Sequence, residues 1–149
     1  EKINTLKKFG KLYGLCFQIV NDIADFVPPT NYTTTAKNSE DTHKDLLQGK
    51  LTLPIIYCLK KGSSKEKERI KTILTNNKGT NEELIQISKD LLNNGSINYA
   101  KEIINKLKNE AHRELKKFSK EERRYFTESL TIFRNNKYFK ELEALKHDN

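Results

Sequence analysis

The stretch FGKLYGLCFQIVNDIADF, residues 9–26, decides how the rest of the chain is read. Its apolar residues continue a pattern that begins at Ile3 and Leu6: Phe9, Tyr13, Phe17, Val20 and Ala24 recur at the spacing of one helix face. From Leu12 onward apolar residues stand almost all round, which predicts burial on most sides. Pro28 and Pro29 stop a helix, so the spacing predicts one long helix over 2–27. Its last two turns nevertheless carry polar side chains: Gln18, Asn21, Asp22 and Asp25. Gln18, Asp22 and Asp25 share one stripe, with Asn21 beside them. Gly14 and Gly10 stand one and two turns before Gln18. Glycine inside a helix costs about 0.5–1 kcal/mol relative to alanine, so two on one face predict close packing against that backbone.

Two carboxylates in a largely buried helix end need compensation, because an unpaired buried charge costs several kcal/mol. Three compensations are open: exposure at the helix mouth, pairing with lysines of this chain, or a hard cation. Oxygen donors without Cys or His favour Mg²⁺ or Ca²⁺ over zinc. Two carboxylates make a poor cage alone, whereas Mg²⁺ keeps waters and is completed by substrate phosphates.

Working outward, TNYTTTAKNSEDTHKD (30–45) is polar and without apolar periodicity, a long loop of the kind that is often functional. DLLQGKLTLP (45–54) follows and sets Asp45, Lys50 and Thr52 at its far side. A helix is predicted over 46–61, with Thr52 as a cap, Pro54 in the first turn and Gly62 at its end. Further helices are predicted over 63–77 from a Ser64 cap, 80–95 from Thr80 with Glu83, 96–118 from Ser96, and 119–139 from Ser119 with Glu122. No segment alternates with period two. The chain reads as all-α, with about six helices and no internal repeat.

Lys and Arg number 28 against 20 acids, a net charge of +8. Such a surplus suits an anionic partner, which can be small. The lysines are interleaved with glutamates, as in KEKERIK (65–71) and KNEAHRELKK (108–117), the pattern of a solvated helix face. No basic stripe with interleaved aromatics is present, so nucleic acid is not the expected partner. Cys16 and Cys58 lie in apolar surroundings without CxxC spacing and read as buried, reduced thiols of a cytoplasmic protein. No run of about 18 apolar residues marks a membrane span.

The helix 9–26 and the segment KDLLQGKLTLPIIYCL (44–59) together resemble the C-terminal half of a trans-isoprenyl diphosphate synthase, of the polyprenyl synthetase family. There a G-x-x-x-G-x-x-F-Q-x-x-D-D-x-x-D helix precedes a D-L-x-x-G-K-x-T-L-P segment. The resemblance implies an all-α bundle around a deep cavity and a Mg²⁺-dependent prenyl transfer. An allylic diphosphate ionises, and isopentenyl diphosphate attacks the resulting cation. It implies that Asp22 and Asp25, with Asn21, belong to the second aspartate-rich, metal-binding motif. Gln18 matches the glutamine before that motif, and Lys50 a diphosphate contact. Asp45 matches the D-L acid, and Phe17 is expected near the isoprenoid.

Two positions depart from the pattern. Asn21 stands where the family has the first acid, and Asp41 where a lysine is common, for which Lys37 or Lys44 would substitute. The first aspartate-rich motif is not among these residues, so the resemblance implies a chain read without its N-terminal half. It also implies a homodimer, or a heteromer with a chain that carries that motif. Residues 1–62 are then the site-bearing part and 63–149 the C-terminal helices of the same domain. The alternatives are a non-catalytic or regulatory subunit of a heteromeric prenyl synthase, and a helical interaction module.

Overall fold

The computed structural model describes residues 1–27, 42–133 and 137–144, and every regular element among them is helical. They are α1 (Lys2–Ala24), α2 (Lys44–Leu47), α3 (Leu53–Lys61), α4 (Ser64–Asn76), α5 (Asn81–Asn93), α6 (Ser96–Leu115), α7 (Lys120–Ser129) and α8 (Lys137–Ala144), with a 3₁₀ turn at Leu130–Phe133. Pro28, Pro29, Lys37 and Asp41, with most of the polar loop, lie outside the described residues.

The all-α reading holds, and the differences have local causes. Helix α1 ends at Ala24 rather than at residue 27. Its last turn tightens into i→i+3 bonds, Phe26 N–H to Ile23 O (3.1 Å) and Val27 N–H to Ala24 O (3.2 Å), as the chain leaves toward a proline that disfavours helix before it. The single helix expected over 46–61 is two, because Gly49 takes a left-handed turn (φ 76°) between α2 and α3. The segment 119–139 also divides. Ser129 Oγ donates to Phe126 O (2.7 Å) and Thr131 Oγ1 to Glu128 O (2.7 Å), competing with the main-chain ladder at that turn.

Capping boxes at Thr80–Glu83 and Ser119–Glu122 form as read. The cap of α4 is Ser63, not Ser64, since Glu66 is the residue three places on that returns the bond. For α6 the N-cap is Gly95 rather than Ser96. Asn94 Oδ1 takes the Ser96 N–H (3.0 Å) and hydroxyl (2.6 Å).

The frame is the crossing of α1 and α6. Helix α1 buries Thr5, Phe9, Leu12, Cys16, Ile19, Val20 and Ile23, mostly at steps of three and four that keep one stripe inward. Helix α6 answers with Ile97, Ala100, Ile104, Ala111 and Leu115. The alanines let the helices approach, and Cys16 Sγ lies 3.8 Å from Ile104 O at the crossing. Both cysteines are buried and unpaired with each other. Aromatic contacts of Phe9 with Phe126 (5.4 Å) and Tyr13 with Phe133 (5.2 Å) close the N-terminal end of α1 under α7. Helix α3 packs on α6 through stacked Tyr57 and Tyr99 (4.6 Å). The α4–α5 hairpin buries Ile70, Ile73, Ile87 and Leu91 and is clamped by Arg69–Asp90 (3.0 Å). One apolar core therefore runs from α1 through α6 and leaves the C-terminal end of α1 facing α2, α3 and α5.

Candidate active site

The polar cluster at the end of α1 divides by depth. Asp22 and Asp25 are buried, at 8% and 7% exposure, while Gln18 and Asn21 are exposed. Gln18 Nε2 donates to Asp22 Oδ1 (2.8 Å) across one helical turn. The Leu53 amide, the first of α3, also favours the Asp22 charge. Asp25 accepts from the Asp45 amide in α2, which lies 3.2 and 3.3 Å from its two oxygens, and the neighbouring Lys44 and Leu46 amides favour its charge. Each carboxylate thus faces amides at the beginning of a helix that follows the loop, where free N–H groups and the helix dipole favour an anion. Burial pushes both acids toward protonation, Asp22 upward in pKa and Asp25 to about 6. For Asp25 the α2 amides oppose the shift and the Asp45 charge adds to it.

The segment after α2 folds back by its own turn chemistry. Gly49 N–H bonds Leu46 O (3.0 Å) and Lys50 N–H bonds Asp45 O (2.8 Å), the paired closure that a left-handed glycine permits at a helix end. The turn brings Lys50 Nζ to Asp45 Oδ1 (2.6 Å). That bond raises the Lys50 pKa, and the fields of Asp25 and Asp22 add to it. Lys50 is 58% exposed and pairs with Asp45 rather than plugging the two buried acids. Thr52, expected as a cap, sits at the N-cap of α3 but makes no side-chain cap bond. Its Oγ1 is buried without a hydrogen-bond partner. An orphaned hydroxyl costs about 1–3 kcal/mol.

The structure thus joins Gln18, Asp22, Asp25, Asp45 and Lys50, residues up to 32 positions apart in the chain. Lys44 is exposed and reaches Asp25 through its main-chain amide. Lys37 lies outside the described residues. Two expectations for α1 are corrected. A Cβ built at Gly10 or Gly14 meets nothing within 4 Å, so no backbone of the described chain packs there. Burial is not all round either: Leu15 is 43% and Phe17 49% exposed. The inward stripe is turned mainly to α6, with α3, α7 and the Leu130–Phe133 turn along its flanks, which leaves Ile3, Gly10, Gly14, Phe17 and Asn21 on an open face leading to the acids.

Among the described residues no group of three or more His, Cys, Asp or Glu comes together as a metal cage. The donors at hand are the Asp22 and Asp25 carboxylates and the Asn21 amide. They are oxygens, and the two acids are desolvated enough that a cation would relieve them. That set fits a hard divalent ion that completes its shell with water and phosphate oxygens, and does not fit a closed structural site. Sequence reading missed His43 and Ser88. His43 is buried with a left-handed backbone (φ 57°), and its Nε2 lies 2.8 Å from the buried Ser88 Oγ. A serine among Leu84, Ile87 and Leu91 on the apolar stripe of α5 was the available signal.

Comparison with known proteins bears on the same segments. The Polyprenyl synthetase family model matches residues 1–91, which include both the α1 motif and the Asp45–Pro54 segment. Component 2 of the heptaprenyl diphosphate synthase of Bacillus subtilis is 35% identical over 92 residues, 61% of this chain and 24% of that protein. A short chain isoprenyl diphosphate synthase of Methanocaldococcus jannaschii is 33% identical over 101 residues, 68% of this chain and 29% of its own length. This chain therefore spans less than a third of these curated relatives. A crystal structure of a polyprenyl synthase from Caulobacter crescentus CB15, complexed with calcium and isoprenyl diphosphate, superposes with a TM-score of 0.72 at 23% identity. The match covers 87% of this chain and 38% of that one. That likeness confirms the all-α bundle fold, and with the family match over both motif segments it places the chain in the polyprenyl synthetase family.

Proposed function

We propose that this chain forms the diphosphate- and metal-binding part of a Mg²⁺-dependent trans-prenyltransferase that condenses an allylic diphosphate with isopentenyl diphosphate. The observation that carries this reading is the meeting of the α1 acids with the Asp45–Lys50 turn, held by the Asp45 amide on the Asp25 carboxylate. The calcium and isoprenyl diphosphate bound by the Caulobacter polyprenyl synthase agree with that ligand class.

Asp22, Asp25 and Asn21 would hold the Mg²⁺ ion, whose charge stabilises a departing diphosphate. Gln18 orients Asp22 by its 2.8 Å bond. Lys50 meets the diphosphate as a mobile point charge, released from Asp45 when a more highly charged anion arrives. Phe17 and the open glycine stripe of α1 give an apolar wall along which a prenyl chain lies away from water. The first aspartate-rich motif then comes from another part of the bundle or from a second chain, as a homodimer or heteromer. No helix among the described residues is long and apolar enough to cross a membrane, in keeping with a cytoplasmic enzyme.

The test is binding, then turnover. Saturating Mg²⁺ with inorganic pyrophosphate should stabilise the chain by roughly 2–4 kcal/mol, and a chelator should abolish the shift. With a partner carrying the first motif, incorporation of labelled isopentenyl diphosphate should require Mg²⁺ and be lost in Asp22→Ala combined with Lys50→Ala. Absence of the thermal shift, or activity that survives the double substitution, overturns the reading. Asn21, a neutral ligand at an acid's position, makes a regulatory subunit the second reading: binding without turnover, unchanged by Asn21→Asp, would favour it.

A further inference from the structure

His43 is a β-carbon-bearing residue in the left-handed region (φ 57°, ψ 19°), a conformation that asks for compensation from its surroundings. Three ties supply it. Its amide donates to Asp25 O (2.7 Å), and its carbonyl accepts the Leu47 N–H (2.9 Å) that opens α2. Its ring, edge-on to Phe26 at 5.7 Å, reaches Ser88 with Nε2 to Oγ at 2.8 Å. Ser88 is fully buried on α5, and its hydroxyl donates to Phe26 O (2.7 Å), with Leu84 O farther off at 3.5 Å. Because that proton is committed to Phe26, the hydroxyl accepts from the imidazole, which therefore carries its proton on Nε2.

The chain of bonds runs from α5 through Ser88 and His43 to the end of α1. Two residues on, the Asp45 amide donates to the Asp25 carboxylate, and the Gly49 turn then returns Lys50 to Asp45. A serine content to satisfy itself in a helix would bond its own i−4 carbonyl. Here the shorter bonds go outward, to α1 and to the segment after the loop. We propose that the Ser88–His43 bond is a latch by which α5 seats the Lys44–Lys50 turn over Asp25, making both residues positioning residues of the diphosphate site. The latch stands on the geometry alone, and its role in ligand binding rests on the function proposed above.

Amide hydrogen exchange and calorimetric titration of Mg²⁺–pyrophosphate on the full chain test it. Ser88→Ala should speed exchange at Asp45 and Leu47, whose amides bond Asp25 and His43, roughly tenfold, as expected for one lost buried hydrogen bond, and leave Ala100 and Ile104 of α6 unchanged. Pyrophosphate affinity should fall by about fivefold or more. His43→Gly relaxes the left-handed backbone yet removes the ring, so it should loosen the same amides, and it serves alone if Ser88→Ala does not fold. Unchanged protection of Asp45 and Leu47 in both variants overturns the latch, as does loosening spread equally into α6. Loosening with undiminished pyrophosphate affinity overturns the positioning role. If the unaltered chain binds no Mg²⁺–pyrophosphate, the proposed function fails together with that role, while the exchange data still decide the latch.

Discussion

At the scale of single residues, the α1 cluster separates what a spacing rule can say from what a neighbour decides. Positions 18, 22 and 25 share a stripe by helical geometry, and the Gln18–Asp22 bond follows from that alone. The burial of Asp22 and Asp25 does not, because it depends on amides from α2 and α3 that arrive after the loop. Asp25 gives a pH signature. Its pKa rises from 3.8 in the unfolded chain to about 6 in the folded one, so the folded chain binds more protons in that window. Stability contributed by this group is therefore greatest below about pH 4, falls as pH rises toward 6, and is level above. In metal-free protein, urea unfolding of the wild type and Asp25→Asn should show their stability difference moving by about 2–3 kcal/mol in favour of the variant between pH 4 and 7. A difference that stays constant over that range would mean that Asp25 is not desolvated.

The elements show why some boundaries were readable and others slipped. Capping boxes at Thr80 and Ser119 are local patterns of four residues, so they formed as read. In the SS pair at 63–64 the box belongs to the serine with an acid three places on, and that is Ser63. The break between α2 and α3 slipped: the segment 46–61 reads as one helix, and Gly49, which carries the turn, was the local signal for the break. Gly49→Ala should cost about 1 kcal/mol in thermal or urea unfolding, because a side chain is strained at φ 76°. The nearest atom to a Cβ there is Asn77 Oδ1 at 3.9 Å, so the cost is that of the backbone rather than of crowding. Lys50 should lose its register with Asp45, and pyrophosphate affinity should fall more than that stability loss would explain. Equal stability of the variant would show that the turn does not hold Lys50.

Over the whole molecule, the crossing of α1 on α6 sets the frame on which the site hangs. Ile104→Ala at that crossing should cost about 2–5 kcal/mol, the range for emptying a buried isoleucine site, and should lower the unfolding midpoint without moving the pKa of Asp25. A cost below about 1 kcal/mol would mean that this crossing is not the packed centre. The sequence by itself determined the all-α class, the order of the two motif segments and the family. Helix periodicity, caps and motif spacing are short-range properties carried by consecutive side chains. The direction of the open α1 face could not be read there, because apolar residues stand on several sides and only the packing of α6 and its neighbours decides which are covered. Nor could the ties from Ser88 and His43 to the end of α1, which join residues 45 and 62 positions apart. Tertiary structure alone decided them, since such bonds exist only when loop closure and core packing bring separate helices within hydrogen-bond reach.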